Sequence, residues 1–151
     1  MEFEEDYLPE GGKHEYDIEI YSRTAVFWFT LIFTTLFGGT LLVLNLRGAG
    51  YTRRAIIVGV FSVAYYVVET FAATFIAKNY LLHLKAQDLL FALSVIKLAF
   101  DLTAALILVL VFYKRYFPEK DYYPKSVTAP LAVAFVLFVI YSIIGQGLMK
   151  H

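Results

Sequence analysis

Four long apolar segments dominate the chain, at residues 24–46, 55–77, 88–113 and 127–149. Each contains about 20 residues or more, which at 1.5 Å per residue is enough to cross a hydrocarbon core about 30 Å thick. Because a segment surrounded by lipid must satisfy its own backbone hydrogen bonds, the pattern predicts four transmembrane helices.

The polar links between the segments are short, at residues 47–54, 78–87 and 114–126. Short links make consecutive helices antiparallel neighbours. We therefore predict an all-α fold, an integral membrane four-helix up-down bundle over residues 23–151. Residues 1–22, with eight acidic residues and one lysine, are predicted to form an acidic tail in front of it.

The acidic residues make this tail the reverse of the positively charged start of a signal peptide. Within it, residues 15–21 alternate between polar and apolar side chains, as a strand does. Two interpretations are open: a mobile tail with no nearby strand to pair with, and a strand that joins the sheet edge of a partner. We predict the mobile tail.

The composition agrees with a membrane protein, since 60% of the residues are hydrophobic and only 17% are charged. The formal net charge is zero, so we expect no nucleic-acid partner. The chain has no cysteine, which excludes disulfides and thiolate metal sites. Its three histidines lie outside the apolar segments, and no nucleophile, zinc or phosphate-binding motif is present. We therefore expect no enzymatic activity, no cofactor and no metal.

Lysine and arginine are unequally distributed between the two sides of the predicted bundle. The first and third links contain seven, and the opposite side contains five. The positive-inside rule therefore predicts a cell (inner) membrane protein with these links in the cytoplasm and both termini outside. Five basic residues next to the segment ends are expected to contact lipid headgroups: Arg47, Arg53, Arg54, Lys114 and Arg115.

Three ionisable residues lie deep inside the second and third segments: Glu69, Lys97 and Asp101. Charge at this depth costs roughly 2.5–3.5 kcal/mol per group. Glu69 and Lys97 each lie about nine residues from the link between their segments, or about 13 Å along a helix, so we predict that they pair. Asp101 lies one turn from Lys97 and can share its ammonium group. Tyr66 lies near the depth of Asp101, and its hydroxyl can donate to it.

Two carboxylates that share one lysine leave one formal negative charge. One interpretation is a structural polar network that sets the register of two helices; the others are a proton site in mid-membrane and a ligand or partner-helix site. We predict a structural or interaction subunit of a membrane assembly. The alternative is a proton- or ion-coupled small-molecule carrier that acts as a homodimer, because four helices enclose little space. The expected partners are the lipid bilayer and a second copy of the chain or another membrane protein.

Small residues recur at helical spacing on one face of the first segment and one face of the second. They are Thr30, Thr34, Gly38, Gly39, Gly59 and Ser62. Faces made of small residues let two helices approach closely. We predict that these faces pack within one chain; dimerisation is the alternative.

The stretch Phe37-Gly38-Gly39, followed by Asn45-Leu46-Arg47 and Gly50, resembles a loose group of small, uncharacterised bacterial multi-pass membrane proteins. In that group a helix with a Gly-Gly step runs into an N-[LF]-[KR] turn with a glycine nearby. The resemblance covers the first segment and its link. It implies a bacterial membrane protein and transfers no activity. The proline usual after the glycine pair is Thr40 in this chain.

Overall fold

The computed structural model describes residues 19–118 and 123–148, and for residues 138 and 141–148 it describes the backbone alone. These residues form an all-helical fold with two very short strands, so the predicted all-α class is confirmed. In chain order the elements are β1 Glu19–Ile20, α1 Arg23–Ile32, α2 Thr35–Gly48, α3 Thr52–Leu81, α4 Ala86–Tyr116, β2 Tyr123–Pro124 and α5 Thr128–Leu148.

Two helices of the described chain, α3 and α4, are long and apolar enough to cross a membrane, with 30 and 31 residues. They contain the second and third predicted segments but extend beyond both, and only residues 82–85 connect them. They are antiparallel neighbours, because the Tyr65 hydroxyl donates to the Phe100 carbonyl oxygen at 2.9 Å, and Glu69, one turn further along α3, contacts Lys97, one turn earlier in α4. Both contain a π-helical stretch, in which the backbone is wound more loosely than in an α-helix: Ala77–Leu81 at the end of α3, and Ile107–Tyr113 before the last α-helical turn of α4.

The first predicted segment is not one helix, and the prediction of a single span over residues 24–46 is wrong. The helix breaks at Phe33 and Thr34, where Thr34 is fully extended (φ −171°, ψ 168°). The chain then reverses, so α1 and α2 form an antiparallel hairpin. A Cβ atom on Gly38 would collide with the Thr30 hydroxyl and lie 2.8 Å from the Val26 carbonyl oxygen. Glycine is needed here because the two helices touch through their backbones.

The two ends of this hairpin meet at its base. The Asn45 side chain accepts a hydrogen bond from the Tyr21 backbone N–H at 2.7 Å and donates to the Tyr21 carbonyl oxygen at 2.8 Å. The Tyr113 hydroxyl, near the end of α4, donates to the same carbonyl oxygen at 3.2 Å. The start of α1, the end of α2 and the end of α4 therefore lie at one end of the molecule.

The end of the predicted acidic tail is ordered against the third link. Glu19 pairs with Tyr123 and Ile20 with Pro124 in a parallel two-stranded sheet, and the Lys125 N–H donates to the Ile20 carbonyl oxygen at 2.9 Å. A nearby strand therefore exists, contrary to expectation. The prediction that the tail lies opposite the first and third links is also wrong for residues 19–22; residues 1–18 are outside the described residues.

The buried core surrounds the hairpin. It includes Val26 of α1, Leu42 and Leu46 of α2, Val58 of α3 and Leu108 of α4. Gly50, at φ 79°, ends α2 and turns the chain directly into α3, with the Tyr51 N–H donating to the Leu46 carbonyl oxygen at 2.8 Å. In contrast, most large apolar side chains are exposed in the halves of α3 and α4 that adjoin the 82–85 link.

Candidate functional site

Glu69, Lys97 and Asp101 come together between α3 and α4. The Lys97 Nζ atom lies 2.7 Å from Asp101 Oδ2, one turn along the same helix, and 3.4 Å from Glu69 Oε1 on the neighbouring helix. One ammonium group therefore bonds to two carboxylates. The α3–α4 hairpin produces this contact because it places residues at similar distances from the 82–85 link side by side.

The predicted fourth member, Tyr66, is not part of this group. It is exposed, and no hydrogen bond of its hydroxyl is found among the described residues. Tyr65 takes its place: its hydroxyl donates to the Phe100 carbonyl oxygen and interacts electrostatically with Glu69 and Asp101. Helical spacing favours neither tyrosine, because both lie three or four residues from Ser62 and from Glu69.

The two carboxylates are almost completely buried, whereas the lysine is not. The side chains of Glu69 and Asp101 are 6% and 3% exposed, and that of Lys97 is 49% exposed. The second oxygen of each carboxylate, Glu69 Oε2 and Asp101 Oδ1, is buried without a hydrogen bond. With both carboxyl groups ionised, the group carries one formal negative charge in excess and has two oxygen atoms available to a further positive partner.

This group lies halfway along both long helices. Asp101 is the central residue of Ala86–Tyr116, Lys97 lies about 6 Å from that centre, and Glu69 lies about 4 Å from the centre of Thr52–Leu81. Each helix extends about 20 Å on either side of the group. Any membrane crossed by α3 and α4 would therefore hold these charges near its midplane.

Among the small residues predicted to mediate helix packing, Gly38 and Gly39 both pack against another helix of the same chain. Gly38 packs on Thr30, and a Cβ on Gly39 would collide with the Ser62 hydroxyl. Gly59 faces Val43: a Cβ atom added to Gly59 would lie 3.7 Å from a methyl group of Val43. Thr30 and Ser62 satisfy their hydroxyls by donating to the carbonyl oxygen four residues earlier, each at 2.8 Å.

The hydroxyls at the tip of the hairpin differ from these. Thr34 Oγ1 and Thr35 Oγ1 are buried and make no hydrogen bond. Together with Glu69 Oε2 and Asp101 Oδ1 they are the four buried side-chain polar atoms without a partner in the described part of the chain. Most buried polar groups have a hydrogen-bond partner, so each of these four atoms is a candidate contact for a ligand.

The base of the hairpin carries the basic residues predicted to contact headgroups. Arg47, Arg53, Arg54, Lys114 and Arg115 are all exposed and lie at the ends of α2, α3 and α4 that meet there. The Arg54 guanidinium lies over the rings of Tyr51 and Tyr116, at 4.8 and 5.2 Å from their centres. Rings and cations mixed in this way are typical of a membrane–water interface.

An apolar crevice of about 620 Å³ separates the hairpin from α5. Leu36, Phe37 and Leu44 of α2 line one side, and Pro130 and Val133 of α5 line the other. Gly39 and Val43, the α2 residues that meet Ser62 and Gly59 of α3, do not line it. None of the described residues that line the crevice is charged.

Comparisons with known proteins add no relative to this description. No protein-family model, no curated protein and no solved structure matches the chain. The function must therefore be argued from the geometry of Glu69, Lys97, Asp101 and the hairpin tip.

Proposed function

We propose that the chain is a multi-pass protein of the cell (inner) membrane, in which α3, α4 and α5 cross the bilayer. The α1–α2 hairpin enters the bilayer from the cytoplasmic side and returns to it. The exposure of α3 and α4 supports this, because only 22% of the most apolar stretch of α3 and 28% of that of α4 are buried inside the protein. A core helix of a soluble protein would be mostly buried, and exposed apolar surface of this extent requires lipid or a partner.

The distribution of basic residues supports a cytoplasmic base. Among the described residues seven lysines and arginines lie at the base: Arg23, Arg47, Arg53, Arg54, Lys114, Arg115 and Lys125. Two, Lys78 and Lys85, lie at the opposite end. The hairpin moves Arg23 from the minority side to the majority side, so the bias is larger than in the sequence-based prediction.

Single cysteines test this orientation directly, because the chain has none of its own. Arg23→Cys and His83→Cys are expected to differ: an impermeant maleimide labels His83→Cys in intact cells and Arg23→Cys only after the membrane is opened. A simple four-span bundle puts both residues on the same side. Equal labelling of the two variants in intact cells would contradict the hairpin topology.

For the activity, we infer an ion-coupled carrier. The observation that carries this inference is the excess of carboxylates over ammonium groups at the centre of α3 and α4, against which the two helices of the hairpin pack. Interrupted backbone at membrane depth is typical of the ion and substrate sites of transporters. Binding of one positive charge neutralises the group formed by Glu69, Lys97 and Asp101, and its release restores the charge. A change of conformation coupled to that step is the basis of coupled transport.

The dependence of stability on pH tests the site. Because an unmatched buried charge is costly, the folded protein should gain stability as the pH falls from 8 to 5.5, by up to about 1.4 kcal/mol per pH unit while a proton is taken up. Glu69→Gln should remove most of this gain. Thermal unfolding in detergent, followed by the fluorescence of the single tryptophan, Trp28, measures it.

Asp88→Asn is the matched control for this experiment, because Asp88 is exposed in the first turn of α4. It should keep the pH dependence of the unaltered protein. If Glu69→Gln, Asp101→Asn and Asp88→Asn all behave alike, the two buried carboxylates do not titrate in this range and no proton-coupled mechanism can use them.

A second function, as a structural subunit of a membrane assembly, is favoured by Lys97. Its side chain is half exposed at the middle of α4, where contact with lipid is unfavourable. A helix of a second copy, or of another membrane protein, would cover it. Native mass spectrometry from mild detergent tests this: a chain that is always a monomer, with no bound protein, argues against the structural role.

A further inference from the structure

The tip of the α1–α2 hairpin lies at the same level as the two buried carboxylates. Three contacts establish the alignment. Gly38 meets Thr30, which makes Thr34 the turning point of the hairpin. Gly39 meets Ser62 and Val43 meets Gly59, so α2 runs antiparallel to α3.

These contacts place Thr35 of α2 and Glu69 of α3 at similar levels along the two helices. Thr35 lies one turn beyond Gly39, and Glu69 lies two turns beyond Ser62 in the same direction. The two α-carbons therefore differ in level by about 5 Å. The Glu69 side chain covers this difference, because side chains on a helix lean towards its N-terminus, which for α3 is the direction of Thr35.

An independent estimate from the base places Thr34 at the level of Asp101. Tyr21 and Tyr113 are joined by a hydrogen bond at the base, and α1 packs along α4 from there. Asp101 is twelve residues from Tyr113, and Thr34 is thirteen residues from Tyr21. Both are therefore about 18–20 Å from the same point along antiparallel helices.

Resting on the function proposed above, we propose that Thr34, Thr35, Glu69 and Asp101 form a binding site for a small monovalent cation such as Na⁺. All four side chains end in a buried oxygen atom without a hydrogen bond. Glu69, Asp101 and Thr35 are each less than one-tenth exposed. Hard cations bind oxygen atoms of this kind, from carboxylates and hydroxyls together.

Charge and ligand number favour a monovalent cation over a proton or a divalent metal. A proton bonds to at most two of the four oxygen atoms and leaves the others unsatisfied. One positive charge makes the group with Lys97 neutral, whereas a divalent ion would leave a net charge in the interior. Among the described residues no three His, Cys, Asp or Glu side chains come together as a metal site. The dipoles of α1 and α2 oppose each other at the tip, so the side chains set the preference.

The test is thermal unfolding of the full chain in nanodiscs at pH 8, in NaCl, LiCl or KCl, against choline chloride of equal ionic strength. The cation site predicts a saturable rise in Tm with NaCl, about 5–10 °C at one hundred times the apparent Kd. Choline, which is too large for the site, should give no rise. Equal Tm values in all four salts overturn the proposal.

Thr35→Val locates the site, because it removes one hydroxyl and little volume. It should weaken the apparent Na⁺ affinity at least tenfold, and Thr35→Ser should restore it. Thr70→Val is the matched control: Thr70 is exposed on α3, its hydroxyl donates to the Tyr66 carbonyl oxygen, and its loss should leave the Na⁺ response unchanged. A Na⁺ response that survives in Thr35→Val overturns the assignment of the ligands.

The outcomes separate this proposal from the carrier itself. If no salt changes Tm but the pH dependence disappears in Glu69→Gln, the ion is a proton: the cation site is wrong and the carrier stands. If neither Na⁺ nor pH changes the stability of the unaltered protein, both are wrong. The salt series and the pH series on the unaltered protein together decide whether the cation site and the carrier stand, even if a variant fails to fold.

Discussion

The base and the tip of the α1–α2 hairpin treat buried polar atoms in opposite ways. At the base the Asn45 amide bonds to both backbone groups of Tyr21, and Tyr113 adds a third bond. At the tip, about 18 Å away, the hydroxyls of Thr34 and Thr35 make no bond. The same two helices connect the ends.

This contrast shows which end of the hairpin is anchored and which end is available to a ligand. A buried polar group without a partner costs about 1–3 kcal/mol. The hydrogen bonds at the base avoid this cost and anchor both helices, whereas the tip and the two carboxylates have four buried oxygen atoms without a hydrogen bond. Local violations of this kind are typical of functional sites supported by a stable scaffold.

The largest effect should come from closing the space between the two helices. Gly38→Leu forces a side chain into the Thr30 hydroxyl and the Val26 carbonyl oxygen, and should destabilise the fold by about 3 kcal/mol or more. Yield and Tm in detergent measure it. Gly48→Ala is the control, since no atom lies within 4 Å of its added Cβ, and it should change stability by less than about 1 kcal/mol. Equal Tm values would show that the helices are not packed in this way.

Breaking the base should cost less than Gly38→Leu but still be large. Asn45→Ala leaves the Tyr21 N–H buried without a partner, and we expect a loss of about 1–3 kcal/mol. Limited proteolysis should then cut near Tyr21 more quickly. Asn79→Ala, which removes an exposed bond to the Phe75 carbonyl oxygen, should leave both measurements nearly unchanged. A harmless Asn45→Ala would mean that the base does not anchor the hairpin.

The smallest effect is expected at the tip. In choline chloride Thr35→Val should be neutral or slightly stabilising, because it removes an unbonded hydroxyl. Thr30→Val removes a hydroxyl that donates to Val26 and should cost about 1 kcal/mol. Unfolding curves of the two valine variants, measured side by side, give the difference. If Thr35→Val is the more harmful of the two, the contrast between satisfied and unsatisfied positions is wrong.

The contact between Glu69 and Lys97 follows from positions in the sequence, because two helices joined by a short link must place matching depths side by side. The choice of Tyr65 over Tyr66 does not, since both fit the spacing of that face. The break at Phe33–Thr34 does not follow from the sequence pattern either, because the mean hydropathy of a segment does not depend on the direction of its backbone. The signal was present in the adjacent Thr34 and Thr35, one turn before the glycine pair Gly38–Gly39.

Composition and distance along the chain are enough to predict the helical class, the two long apolar helices and the contact between Glu69 and Lys97. Only the folded chain shows that the first apolar segment folds back on itself, that residues 19–22 lie with the first and third links, and that the hydroxyl oxygens of Thr34 and Thr35 are buried. These features depend on which surfaces fit together. Gly38 against Thr30 and Asn45 against Tyr21 are contacts across a reversal of the chain, and spacing alone carries no information about them.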